Sequence, residues 1–244
     1  MSTLVQRITI LSNLLLLLVY QQIFLVGTQA APTATANVQA PSTLQHLNAE
    51  TSVLSNRDAN TNSNSKYNLK WTPRSAWQAA APLHAPTHIS TVGGVSHVII
   101  HHTATPASTC RLNTNACAAT IRAMQRTHQQ QRGWDDIGYN FLIGGSDDQA
   151  EIYEGRGFDV VGAHAVGYNA RSVGIALIGD WTDALPPHPV LDKLHQLISY
   201  GVQMGHIQRD YTLLGHRQVK ATECPGNRLY NELRGWPHYK QHVA

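Results

Sequence analysis

Charge is scarce in this sequence. Asp, Glu, Lys and Arg make up 14% of its 244 residues and leave a net charge of +3 with the histidines neutral. No Lys/Arg-rich run and no RNA-binding signature is present, so a nucleic-acid footprint is excluded. Weak basicity is compatible with an anionic carbohydrate or peptide ligand without arguing for one. Cysteine is scarcer still: Cys110, Cys117 and Cys224 are the whole set, and an odd count in an exported protein needs an explanation. Cys110 and Cys117 are close enough in sequence to close a small loop as a disulfide. Cys224 is then a leftover thiol, which a metal would hold. A long unbroken apolar run is also missing. Ile8 to Val26 is largely apolar around Leu14 to Leu18, but Asn13, Gln21 and Gln22 interrupt it, and a membrane span needs about 20 consecutive, mainly apolar residues. With Arg7 before it and Thr28-Gln29-Ala30 after it, the stretch 1–30 reads as an export signal cleaved before Ala31. A retained signal anchor is the alternative. Aromatics are few across 31–66, where Ala, Thr, Asn, Ser and Gln dominate. Such a segment cannot bury enough apolar area to offset its chain entropy, so it is expected to be a flexible linker.

What remains, 67–240 with a short tail at 241–244, has the length of one domain by the usual measure of ~100–200 residues. Trp71, Pro73, Trp77 and Pro82 predict an ordered extended segment that packs onto it. Val95 to His102 is a short β-branched run without polar alternation, as in a strand covered on both faces. Asn115 to Arg132 repeats Ala118, Ile121, Met124 and His128 at helical steps, with Thr114 or Asn115 to cap it and Gly133 to end it. Asn140–Ile143 and Glu151–Tyr153 flank turn residues and predict a hairpin. Val160–His164 and Ser172–Ile178 read as further strands, with their glycines marking close approach of a backbone or ligand. Val190–Met204 and Asn227–Arg234 read as helices, and Tyr211–Leu214 as a short strand before His216. Interleaved strands and helices predict a single α/β domain with a central sheet flanked by helices.

His216 and Cys224 stand eight positions apart in a loop-like stretch, and each can give a ligand to zinc. Fourteen histidines make one such pairing an ordinary accident. A third ligand is available in His101, at the carboxyl end of the first strand, where α/β sheets gather their sites. Successive strand residues face opposite sides, so only one of His101 and His102 should enter a given site. Three ligands with an open fourth position distinguish catalytic zinc from structural zinc. Such a centre acidifies bound water to a pKa of about 7 and polarises a carbonyl. Tyr139 and Thr222 offer hydroxyls for an oxyanion, and no carboxylate stands out as a general base.

Five stretches, in order, carry a resemblance: Val98-Ile99-Ile100-His101-His102-Thr103, Gly133 to Phe141, Tyr153 to Gly157, Gly162-Ala163-His164-Ala165, and Leu214 to Gly226. Together they resemble the peptidoglycan recognition proteins, which share their fold with the phage-type zinc amidases, and look most like the insect catalytic type. The resemblance spans about 69–239 and implies that fold, with a mixed sheet. It also implies zinc as cofactor, held by His101, His216 and Cys224, with Tyr139 as the catalytic tyrosine and Thr222 at the catalytic position two before the cysteine. The implied reaction is hydrolysis of the amide between N-acetylmuramic acid and L-alanine, with bacterial peptidoglycan and muropeptides as partners and a Cys110–Cys117 disulfide. Gly133-Trp134 resembles the pair that goes with diaminopimelic-acid stem peptides, although a helix-capping glycine and a packing tryptophan explain it equally. His128, His164 and Arg156 match positions along the substrate groove. For each of them a core or structural role is the alternative, since buried histidines satisfied by a neighbour are common. Family members that only bind usually lack the cysteine, so a non-catalytic receptor is the competing reading.

Overall fold

The computed structural model describes residues 69–106, 110 and 114–242. The expected export signal and linker lie outside the described residues. Among the described residues, no helix is long and apolar enough to cross a membrane.

The first strand, β1, runs Val95–His102, as its sequence pattern predicts. Helix α1 follows at Thr114–Gln130, then β2 at Phe141–Gly145 and β3 at Ala150–Glu154. Strand β4 is Ser172–Leu177, α2 is His188–Gln203, β5 is Ile207–Gly215 and α3 is Asn227–Leu233. They make one five-stranded mixed sheet in the order β3-β2-β4-β1-β5. Strand β1 is parallel to both β4 and β5, β2 is parallel to β4, and β2 and β3 form the antiparallel hairpin.

Alternation along the strands divides the sheet into two unlike faces. Val98 and Ile100 of β1, Val173, Ile175 and Leu177 of β4, and Leu213 of β5 pack with Val190, Leu194 and Leu197 of α2 and with Leu229 and Leu233 of α3. On the other face α1 covers only part of the sheet. Ile121 and Ala118 pack with Leu142, Ala176, Ile137 and Trp77. Over β1 and β5 that face holds a small cluster of Ile99, Leu214 and Ala165. Among the described residues α1 is not part of this cluster, which is flanked instead by Tyr168 and Val219, and His101 at the carboxyl end of β1 lines a cavity.

The segment before β1 does pack onto the domain. Trp77 is fully buried and donates from Nε1 to the Glu154 carbonyl at 2.8 Å, while Arg74 pairs with Asp136 at 2.8 Å. Helix α1 ends at a left-handed Gly133, φ 66°, and the Trp134 N–H returns to the His128 carbonyl at 3.0 Å. The Cys110–Cys117 disulfide is present.

Two expectations need correction. Val160–His164 is no strand: its one ladder contact is an isolated bridge between His88 and Val160. Its backbone groups are taken by other partners. The Val160 carbonyl accepts from Asn140, the Val161 carbonyl accepts from Arg156, and the Ala163 N–H donates to the Gly138 carbonyl. The glycines that read as strand interruptions are there to admit a side chain. The final strand also begins earlier than Tyr211, at Ile207. Its polar start, Gln208 to Asp210, hides it from a search for apolar runs.

Candidate metal centre

His101 leaves the sheet on the open face, and its ring lies 4.3 Å from His216 and 5.2 Å from Tyr139, centroid to centroid. His102 points the other way, as alternation requires, with Nδ1 3.5 Å from Asp180. Strand β5 delivers His216 into a single 3-10 turn, His216–Gln218. The loop then doubles back, fastened by Arg217, whose N–H donates to the Cys224 carbonyl at 2.9 Å and whose guanidinium reaches Asn227 at 2.8 Å. This return brings Cys224 against β1, with Sγ 3.7 Å from His101 Nδ1 and 3.4 Å from the His102 N–H. One ligand atom each from His101, His216 and Cys224 lie within 4.8 Å of one another.

The chemistry of these groups fits a zinc ion. His216 Nε2 is buried and has no hydrogen-bond partner, and among the described residues it is the one side-chain N or O so left. A buried polar atom without a partner costs roughly 1–3 kcal/mol, which a ligated cation would remove. Burial lowers all three nearby imidazoles: His101 well below its ordinary value, His216 to about 4 with Lys220 and His102 adding to the effect, and His164 to about 3 with His216 adding to it. They are therefore neutral at pH 7, and His101 and His216 can each offer a lone pair, as ligation demands. Burial pushes the Cys224 thiol up to about 12. A thiolate there needs a cation beside it, and among the described residues Cys224 is the one cysteine outside a disulfide. Two nitrogens and a sulfur are a usual donor set for zinc.

The three side chains form the floor of a cavity of about 310 Å³ whose walls include Tyr139, Thr222, His128, His164 and Trp134. Burial, and after it the neighbouring Cys224, holds the Tyr139 phenol above its usual range, so it is a donor at neutral pH. The Thr222 hydroxyl accepts from the Cys224 N–H at 3.3 Å. Among the described residues no carboxylate lines this cavity. Trp134 and Ala163 also line a second cavity of about 500 Å³ with Gly133, Asp135 and Arg156, so the two cavities share a wall. Gly133 sits at its edge, where a Cβ would meet no protein atom. Its positive φ accounts for the glycine. Arg156 donates from Nε to the Ile137 carbonyl at 2.7 Å and from Nη1 to the Val161 carbonyl at 2.9 Å. His128 accepts the Gly138 N–H at 3.0 Å and lies 4.7 Å from the Trp134 ring.

Two cations that the sequence reading passed over line the small cavity as well: Arg132, stacked 5.2 Å above Trp134, and Lys220. The signal was their position, directly before Gly133-Trp134 and between two ligands, rather than any charge run.

Comparisons with known proteins show the family to which the chain is similar. Residues 91–227 match the Amidase_2 family, N-acetylmuramoyl-L-alanine amidase. The chain is 51% identical over 166 residues to peptidoglycan-recognition protein LB of Drosophila melanogaster, covering 68% of each chain. It is 44% identical over 170 residues to the N-acetylmuramoyl-L-alanine amidase of Mus musculus, covering 69% of this chain and 31% of that one. The solved structure of peptidoglycan recognition protein LE in complex with tracheal cytotoxin, a monomeric diaminopimelic acid-type peptidoglycan, matches with a TM-score of 0.65 at 44% identity, covering 70% of this chain and 95% of that one.

Proposed function

The chain belongs to the N-acetylmuramoyl-L-alanine amidase family, among its peptidoglycan recognition proteins, and from that premise we propose that it is an exported zinc amidase acting on bacterial peptidoglycan. The observation that carries the proposal is the convergence of His101, His216 and Cys224 on one point, with the His216 Nε2 left without a protein partner. Those three residues would hold the zinc. When bound, zinc supplies Lewis acidity, polarising a carbonyl and acidifying water.

The reaction adds one water across the amide between N-acetylmuramic acid and L-alanine. The water oxygen joins the lactyl carbonyl carbon, the C–N bond breaks, and the stem peptide leaves as an amine with the proton. Tyr139, protonated because burial raises its pKa, donates to the oxygen on which negative charge develops. Thr222 shapes the same wall, its hydroxyl turned to the Cys224 N–H. Arg132 and Lys220 add positive charge around the cavity, which suits the anionic substrate. The stem peptide would lie in the larger cavity beyond Trp134, against Gly133 and Arg156, with His128 and His164 in the wall nearer the zinc ligands. A diaminopimelic-type stem is favoured, by the Gly133-Trp134 pair and by the similarity to a protein solved with such a ligand. Destroying an immune elicitor is the biological role that fits an exported enzyme of this kind.

The test is to incubate the purified protein with diaminopimelic-type muropeptide and identify the products by mass spectrometry. Free stem peptide and a free lactyl carboxylate are expected, with neither formed by Cys224→Ala. Binding without release by the metal-replete protein would establish the receptor reading instead.

A further inference from the structure

His164 is buried between the backbones of two loops and a strand, and two glycines make room for it. A Cβ on Gly162 or on Gly174 of β4 would collide with the His164 ring. Its main chain is held by Asn169, whose Oδ1 accepts from the His164 N–H at 2.9 Å and from the Ala165 N–H at 2.8 Å. The ring thus has one place to be, with Nδ1 3.1 Å from His101 Nε2 and Nε2 3.4 Å from Ser172 Oγ. Ser172 is fully buried at the start of β4, and its hydroxyl donates to the Tyr168 carbonyl at 2.7 Å.

A carbonyl only accepts, so the direction of every proton in this chain follows from its far end. The Ser172 hydroxyl proton is committed to Tyr168, and its oxygen is left to accept from His164 Nε2–H. His164 Nδ1 is then a bare lone pair and accepts from His101 Nε2–H. The consequence falls on His101: Nδ1, the atom 3.7 Å from Cys224 Sγ, carries no proton.

We infer that Tyr168, Ser172 and His164 form a proton-ordered chain that fixes the His101 tautomer with Nδ1 presented to the metal, and that His164 and Ser172 are positioning residues for the zinc ligand. This inference rests on the zinc reading above. A metal-bound histidine ordinarily passes its second N–H to an oxygen; here a second histidine intervenes, and its own partner sets its tautomer. Gly162 and Gly174 belong to the device because they clear its path.

The test uses the full chain and reads zinc binding by chelator competition, together with the His101 tautomer by imidazole 15N NMR in the metal-free protein. Wild type should bind zinc and show His101 protonated at Nε2. His164→Leu, which removes the acceptor at similar volume, should weaken zinc about 10–100-fold and give a tautomer mixture. His164→Asn returns an acceptor oxygen near the Nδ1 position and should recover much of that loss. Ser172→Ala, a smaller change that keeps the protein folded should the leucine variant fail, should shift His164 toward its other tautomer and weaken zinc by a smaller factor. Zinc affinity within about twofold of wild type in these variants, with tautomers unmoved, would overturn the inference. Wild type that binds no zinc would overturn the metal reading and this inference with it, an outcome distinct from unchanged variants.

Discussion

Val98, Ile100, Val173, Ile175 and Leu213 meet α2 and α3 through apolar contact alone, while the same strands turn Ile99, His101, Gly174 and Leu214 to the opposite side. There the neighbours are imidazoles, a thiol and a buried serine. The first face is tolerant of chemistry and sensitive to volume. The second depends on which nitrogen carries a proton and on whether a Cβ is present. Strand β1 therefore gives Val98 and Ile100 to stability and His101 to function, with Ile99 packing on the same side as His101.

Substitutions on each face should separate those two roles. The largest effect is expected from Cys224→Ala, which should abolish hydrolysis and tight zinc binding while the thermal unfolding of the metal-free protein stays close to wild type. Coincident loss of the fold would mean that the cysteine belongs to the packing. Tyr139→Phe comes next. Loss of a single oxyanion donor lowers kcat by about 10²–10³, so steady-state kinetics should show that drop with KM little changed; an unaltered kcat would remove the tyrosine from the chemistry. Leu194→Ala, in the centre of α2 and fully buried, should cost about 2–5 kcal/mol in denaturant unfolding, yet leave activity per folded molecule as it was. A fall in kcat at full folding would show that the two faces are coupled. The smallest effect belongs to the groove rim, where His84 and Asp135 pair at 2.5 Å with side chains 78% and 48% exposed. Exposed pairs contribute about 0–1 kcal/mol, so the unfolding midpoint of His84→Ala should barely move.

The apolar face was the more legible of the two in the sequence. The limits of β1 and the buried stripe of α2 follow from periodicity, and the opposed directions of His101 and His102 follow from strand geometry. The ligand set was visible as residue types, and its assembly depends on a return loop whose Arg217 fastenings have no sequence pattern. Val160–His164 reads as a strand because apolar residues flanking a glycine look like a buried one, whereas here Gly162 makes room for an imidazole. Arg132 and Lys220 escaped because two single cations converge only after folding. Ser172 read as an ordinary strand residue, and its role depends on the carbonyl four residues before it in sequence.

The most direct test of the account is a zinc titration of the metal-free, full-length protein, with stem-peptide release from a diaminopimelic-type muropeptide followed at each step. The expected result is hydrolysis that is absent without metal, rises linearly and stops rising at one zinc per chain, with Cys224→Ala inactive at every zinc level. Hydrolysis that is independent of zinc, or a saturated one-zinc protein that binds the muropeptide and releases nothing, would contradict it.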